Sequence, residues 1–320
     1  MTYAFDPELA PWVPSLPQVD LADYAAVRAA EAAALAQAPA YAPSAPVKIR
    51  NITVPGPLGE TEVPVRIYTP ADREGPLPGL LYIHGGGFVL GSVDGFDSAA
   101  TLIAAEVGAV VLSVDYRLAP EHPFPAGVED CYAALLWTAD HTDELGIDPD
   151  RLGVGGESAG GGLSAAVALL ARDRDGPSLC FQYLGIPELD DRLATPSMQT
   201  FHDTPFWHRP NAELSWDCYL GEGVRGGTAV SPYAAPARAQ DLSSLPPACV
   251  TVCEFDPLRD EGIAYAQRLV QAGVPTELHL YPGTFHGSAL AVPDAAVSRR
   301  MTADQLDALR RGLRADRPQR

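Results

Sequence analysis

The stretch RLGVGGESAGGGLSAAVALLA, residues Arg151–Ala171, decides the reading of this chain. Leu152–Gly155 reads as a short strand, and Ala159–Ala171, rich in Ala and Leu, as a helix. Between them Gly156-Glu157-Ser158-Ala159-Gly160 makes a G-x-S-x-G turn. A serine at such a strand-to-helix turn sits on a tight, strained backbone. Bulky neighbours would clash there, which accounts for glycine on both flanks. Its hydroxyl stands clear of the chain at a helix N-terminus, where free N–H groups and partial positive charge favour a developing oxyanion. Ser158 is therefore expected to be the nucleophile of an acyl-transfer reaction.

Outward from this turn, strands and helices alternate. Val47–Val54 and Val63–Tyr68 read as strands separated by the turn residues Pro55, Gly56, Pro57 and Gly59. Further strands are expected at Gly79–Ile83, Ala109–Val114, Leu179–Leu184, Ala248–Val252 and Glu277–Tyr281. Helices are expected at Asp20–Ala36, with Asp20 as N-cap, and at Ala99–Glu106, Val128–Asp140, Gly262–Ala272 and Thr302–Arg314. The continuous apolar character of Ala109–Val114 implies burial on both faces. Such alternation defines an α/β protein with a mostly parallel sheet and helices on both faces. One stretch breaks it. From Glu188 to about Val230 there is no clear strand, yet Phe201, Phe206, Trp207, Trp216 and Tyr219 fall there. It reads as a lid over the carboxyl ends of the strands, where open α/β sheets bind ligands, or else as a surface excursion with its own small core.

A second signal is His84-Gly85-Gly86-Gly87, directly after a strand. Three glycines let backbone N–H groups turn inward without obstruction. Without a G-K-[ST] ending or GxGxxG spacing, the run does not read as a phosphate loop. Gly85 and Gly86, with Gly87 as an alternative, are expected to join the N–H of Ala159 in an oxyanion hole, and His84 to anchor the loop. Of seven histidines, His286 lies in a loop after a strand and beyond the serine, which suits a general base; His279 sits within that strand and reads as structural or exposed. Asp256 follows the strand Ala248–Val252 and precedes Pro257, which holds it extended at the strand end. It is preferred to Glu254 and Asp260 as the acid that orients the base. The order Ser158, Asp256, His286 suits a nucleophile–acid–base set.

Composition sets outer limits. The 320 residues carry a formal net charge of −19, and Lys48 is the only lysine. So acidic a surface repels phosphate backbones and anionic lipid heads, so no nucleic-acid partner and no stable membrane association are expected. No apolar run reaches the ~18 residues of a membrane span. The first residues carry no basic stretch leading into an apolar segment, so the expected compartment is the cytoplasm. The five cysteines are odd in number, lack CxxC spacing and read as buried thiols. Cys249 and Cys253 share a strand face, but no further ligands are evident near them, and no metal is expected.

Taken together, His84-Gly-Gly-Gly-Phe88, Asp115-Tyr-Arg-Leu-Ala-Pro-Glu-His122, Gly156–Gly160, Ser231-Pro-Tyr233, Asp256-Pro-Leu-Arg-Asp-Glu-Gly262 and the His286 loop resemble the bacterial hormone-sensitive-lipase-like (family IV) carboxylesterases of the α/β-hydrolase superfamily. The resemblance implies a single α/β-hydrolase domain over 1–320 with an eight-stranded, mostly parallel sheet. It implies a core of 47–187 and 231–320, and a helical cap from 1–46 and about 188–230. It further implies hydrolysis of short- to medium-chain acyl esters without a cofactor, a small-molecule ester as partner, and a homodimer in some members. Ser158, Asp256 and His286 fall on the family's triad positions. Phe88, Glu188, Phe206, Trp207 and Ser288 are expected at the substrate. The plant gibberellin receptors that share this fold lack the histidine, whereas His286 is present here. Three positions depart from the family pattern. Glu157 stands where Asp or Thr is usual, Glu188 where an apolar residue is usual, and Ser288 where an aromatic is usual. Glu188 is expected either to face the acyl site, disfavouring long apolar chains or recognising a cation, or to be solvated. Ser288 is expected to enlarge the pocket beside the base.

Overall fold

Every residue of Leu77–Ile83 and of Val110–Val114 is buried, and these two strands lie side by side in the interior of one eight-stranded sheet. The computed structural model describes residues 3–17, 19–38, 41–59 and 61–314. Its strands are β1 (Val47–Pro55), β2 (Glu62–Pro70), β3 (Leu77–Ile83), β4 (Val110–Val114), β5 (Ile147–Glu157), β6 (Phe181–Gly185), β7 (Ala248–Phe255) and β8 (Thr276–Phe285), in the order β1-β2-β4-β3-β5-β6-β7-β8. β1 and β2 pair antiparallel, β2 pairs antiparallel to β4, and every later pairing is parallel. Parallel neighbours need crossovers, and the helices supply them. In chain order the helices are α1 (Tyr24–Leu35), α2 (Asp97–Val107), α3 (Ala126–Asp140), α4 (Thr142–Leu145), α5 (Ala159–Asp173), α6 (Pro196–Thr200), α7 (Arg209–Leu220), α8 (Arg259–Gln271), α9 (Ser288–Ala291) and α10 (Ala296–Gly312), with α2 to α8 lying between the parallel strands.

The sheet divides the core in two. On one side α3, α5 and α8 pack on residues such as Ile67, Leu81, Val154 and Val250. On the other α2 and α10 cover Tyr68, Leu80, Tyr82 and Tyr183. Each fully buried Leu or Val here contributes about 1.5–3 kcal/mol relative to its exposed state. α5 is buried along almost its whole length, because it lies between the sheet and α3. This explains its run of Ala and Gly, which permits close helix–sheet approach.

Chain direction reverses around β3, since β4 lies on one side of it and β5 on the other. A crevice opens at the carboxyl ends of strands where an α/β sheet switches direction in this way. The loop after β3 and the turn after β5 flank that crevice, with Ile83 in register with Gly156.

The sequence expectations differ from the structure mostly at element ends. Asp20 caps only a short 3-10 turn, and Asp23 accepts the Ala26 N–H that starts α1. α8 begins at Arg259, which puts Asp260 in its first turn, and α10 begins at Ala296. The stretch after Glu188 contains α6 and α7 and no strand. It joins the N-terminal segment through Asn211, whose side chain donates to Val19 O at 2.9 Å and accepts from Leu21 N at 3.4 Å. Among the described residues no helix is long and apolar enough to cross a membrane.

Candidate active site

β5 delivers Ser158 to the N-terminus of α5 with φ 58° and ψ −124°, a strained backbone for a residue with a Cβ. Two bonds hold the turn in place: Ser158 N donates to Gly185 O at 2.8 Å, and Gly162 N donates to Ser158 O at 3.0 Å. Gly160 is required by contact. A Cβ there would stand 2.0 Å from Ile83 O and 2.6 Å from His84 O.

The Ser158 hydroxyl faces a histidine. Ser158 Oγ lies 2.9 Å from His286 Nε2, and His286 Nδ1 lies 2.7 Å from Asp256 Oδ2. Asp256 accepts at Oδ1 from Leu258 N at 2.9 Å, so the bend after β7 aims the side chain. With Asp256 as acceptor, the proton sits on His286 Nδ1, and Nε2 is left to accept from the serine. Ser158 and His286 are each 7% exposed and Asp256 1%, which leaves a narrow opening to solvent at Ser158. The two competing carboxylates are engaged elsewhere. Glu254 accepts from Gly283 N, and Asp260 accepts from Ser197 N and Arg259.

Beside the serine lies the glycine loop. Among the described residues, the N–H groups of Gly85, Gly86, Gly87 and Ala159 donate to no acceptor. His84 is buried, donates from Nδ1 to Gly85 O at 2.8 Å and stacks on Tyr116 with ring centroids 4.3 Å apart. Burial lowers its pKa, which keeps the ring neutral as an anchor of the loop.

A cleft of about 210 Å³ opens over Ser158 and His286. Its walls include Phe96, Tyr183, Tyr281 and Leu290, and Val19, Phe206 and Trp207 close it from the N-terminal segment and the stretch after Glu188. The Trp207 ring centroid is 5.9 Å from that of His286. Ser288 lines the cleft near His286. Glu157 also reaches it, accepting from Gln305 Nε2 of α10 at 3.0 Å, and burial raises its carboxyl above the usual range.

Two expected substrate contacts are displaced. Phe88 has φ 61°, and its ring lies against α7, where it stacks on Tyr219 at 4.1 Å and meets Trp216. Glu188 is neither in the cleft wall nor solvated. It is fully buried, its N–H donates to Ser158 O at 3.1 Å, and burial pushes its carboxyl up to about 8. Conversely, Tyr183, Tyr281 and Gln305 line the cleft without having been anticipated. Strand parity carried a signal for one of them, because Tyr183 shares a face of β6 with Gly185, in register with Glu157. Cys249 also has neighbours that were not foreseen. Glu277 and His279 offer ligand atoms within 4.8 Å of one another and of its thiol. They are already paired, His279 with Glu277 at 2.5 Å and Glu277 with Arg311 at 2.8 Å.

Residues 80–290 match the alpha/beta hydrolase fold family. The chain is 45% identical over 275 residues to carboxylesterase NlhH of Mycobacterium tuberculosis, with 84% of each chain covered. It is 40% identical to an arylesterase of Saccharolobus solfataricus, covering 72% of this chain and 77% of that one. Among solved structures, a bacterial heroin esterase superposes with a TM-score of 0.92 at 53% identity, covering 97% of this chain and 98% of that one. The chain belongs to the α/β-hydrolase fold, in its hormone-sensitive-lipase-like carboxylesterase family, and it is a hydrolase.

Proposed function

We propose that this enzyme hydrolyses carboxylic esters with short to medium acyl chains by two-step acyl transfer at Ser158. The observation that carries this reading is the continuous line from Ser158 Oγ through the His286 ring to Asp256, at 2.9 and 2.7 Å, opening into the cleft. His286 takes the serine proton as Oγ attacks the ester carbonyl. Asp256 holds the ring in the tautomer this requires and stabilises the imidazolium. Negative charge on the tetrahedral intermediate meets the unclaimed N–H groups of Gly85, Gly86 and Ala159 at the positive end of α5. His286 then protonates the departing alcohol. Water repeats the sequence on the acyl-enzyme and releases the acid.

The cleft supports a short acyl group. Its volume is small, and its otherwise largely apolar lining includes the Glu157–Gln305 pair. A long alkyl chain reaching that pair would bury polar groups against hydrocarbon. Aromatic rings on the roof favour a flat or bulky alcohol. The named substrates of the arylesterase and heroin esterase relatives are in keeping with this.

Ser158→Ala is expected to abolish turnover of p-nitrophenyl acetate and butyrate while its circular dichroism and melting temperature stay close to wild type. Turnover near the wild-type rate in that folded variant would overturn the assignment. A series of p-nitrophenyl esters of increasing chain length should show kcat/KM falling once the acyl chain outgrows the cleft.

A further inference from the structure

Three buried groups outside the line of catalytic side chains meet where the cap touches the glycine loop. Ser215, on α7, places its Oγ 2.9 Å from Gly87 O and 3.1 Å from Glu188 Oε1. Ser215 and Glu188 are fully buried. A hydroxyl carries one proton, and a carbonyl oxygen can only accept. If Ser215 gives its proton to Gly87, its contact with Glu188 holds a proton only when Glu188 supplies one. If Ser215 gives it to Glu188 instead, the Gly87 carbonyl loses its donor.

The surroundings decide between these arrangements. Glu188 Oε2 has no hydrogen-bond partner, and among the described residues no Lys, Arg or His pairs with this side chain. The titratable groups that face it are Asp256 after β7, Glu261 on α8 and Tyr116 after β4, none of them a cation. A buried carboxylate with one bare oxygen and acidic neighbours is far costlier than the neutral acid.

We propose that Glu188 is a positioning residue: as the neutral acid it donates to Ser215 Oγ, Ser215 donates to the Gly87 carbonyl, and this relay ties the cap to the loop whose N–H groups face the nucleophile. Two further contacts strengthen the link. The Glu188 N–H donates to the Ser158 carbonyl, and the Trp207 ring lies where a Cβ of Gly87 would be, 2.3 Å from that position. The neutral acid persists up to about 8. Above that pH Glu188 becomes an acceptor only. It then competes with Gly87 for the single Ser215 proton, and the loop loses its tie to the cap.

The inference rests on Ser158 being the nucleophile and the glycine loop the oxyanion site. Its test is the pH dependence of kcat and KM for p-nitrophenyl acetate, from mildly acidic to mildly alkaline, in wild type, Glu188→Gln and Ser215→Ala. Wild type is expected to show kcat declining on the alkaline side with an apparent pKa of about 8. Glu188→Gln keeps a donor that does not titrate, so it should retain most of the neutral-pH kcat and lose that decline. Ser215→Ala removes the relay at every pH. It should lower kcat about tenfold, short of the ~10²–10³ lost when an oxyanion donor itself is removed, with KM little changed. An alkaline decline that persists unchanged in Glu188→Gln, or a wild-type kcat in Ser215→Ala, overturns the relay. If Ser158→Ala is inert and the decline nevertheless persists in Glu188→Gln, only the relay fails. If Ser158→Ala still turns over, the parent reading fails.

Discussion

The floor of the cleft and its roof are held by different kinds of contact. The floor is backbone against backbone. Gly160 is pressed on the carbonyls of Ile83 and His84, and Ser158 N is bonded to Gly185 O across the sheet. The roof is side chain against backbone or side chain. Asn211 reaches Val19, Ser215 reaches Gly87, and Arg28 of α1 donates to Val89 O and Ala119 O, each at 2.8 Å. A backbone contact leaves no room for a substituent. A side-chain contact tolerates replacement by another group of similar shape and hydrogen-bonding capacity. The floor is therefore expected to be rigid and intolerant, and the roof to be where specificity is adjusted.

The comparison can be broken most severely at the floor. Gly160→Ala should leave no measurable turnover and lower the melting temperature sharply or prevent folding, because the new methyl meets carbonyl oxygens that belong to β3 and the loop after it. A soluble, active Gly160→Ala enzyme would show that the floor yields more than its contacts allow. On the roof, Trp207→Phe trims the wall above His286. About 1–2 kcal/mol of apolar contact is lost to an aryl ester, so KM should rise about five- to thirtyfold with kcat little changed. Equal effects on kcat and KM would mean that the roof shapes the reaction as much as the fit. The smallest effect on turnover is expected from Arg28→Ala, which cuts the bonds from α1 to Val89 O and Ala119 O and the paired contact with the exposed Glu121 carboxylate. Urea denaturation should report a loss of about 1–3 kcal/mol, while steady-state kinetics at moderate temperature stay near wild type.

The same contrast explains what could be read in the sequence. Gly156, Gly160 and the run Gly85–Gly87 answer to steric limits within a few residues of Ser158, so the turn and the loop were legible as local patterns. Asp256 and His286 were legible because each follows a strand that its own apolar run discloses. Phe88 was not, because its direction depends on a φ of 61° set by the glycine loop. Glu188 was not, because its burial depends on Ser215, Asp256 and Glu261, which reach it from α7, the end of β7 and α8. Tyr281 and Gln305 join the cleft only through the packing of α10 along β6 and β8. An acidic residue after a proline at a strand end reads as solvated until those neighbours are in place.

The separation between bonded partners also bears on how the enzyme comes into being. Ser158 precedes its histidine by 128 residues, and Glu157 precedes Gln305 by 148. On the proposed reading, a chain leaving the ribosome carries its nucleophile long before it carries a base, and gains the Gln305 side of the cleft only when α10 has been made. The proposed mechanism thereby withholds reactivity from every partial chain that ends before His286. Without its histidine the serine of a half-made protein is an ordinary alcohol, and on this reading hydrolysis waits until β8 and the loop after it have docked.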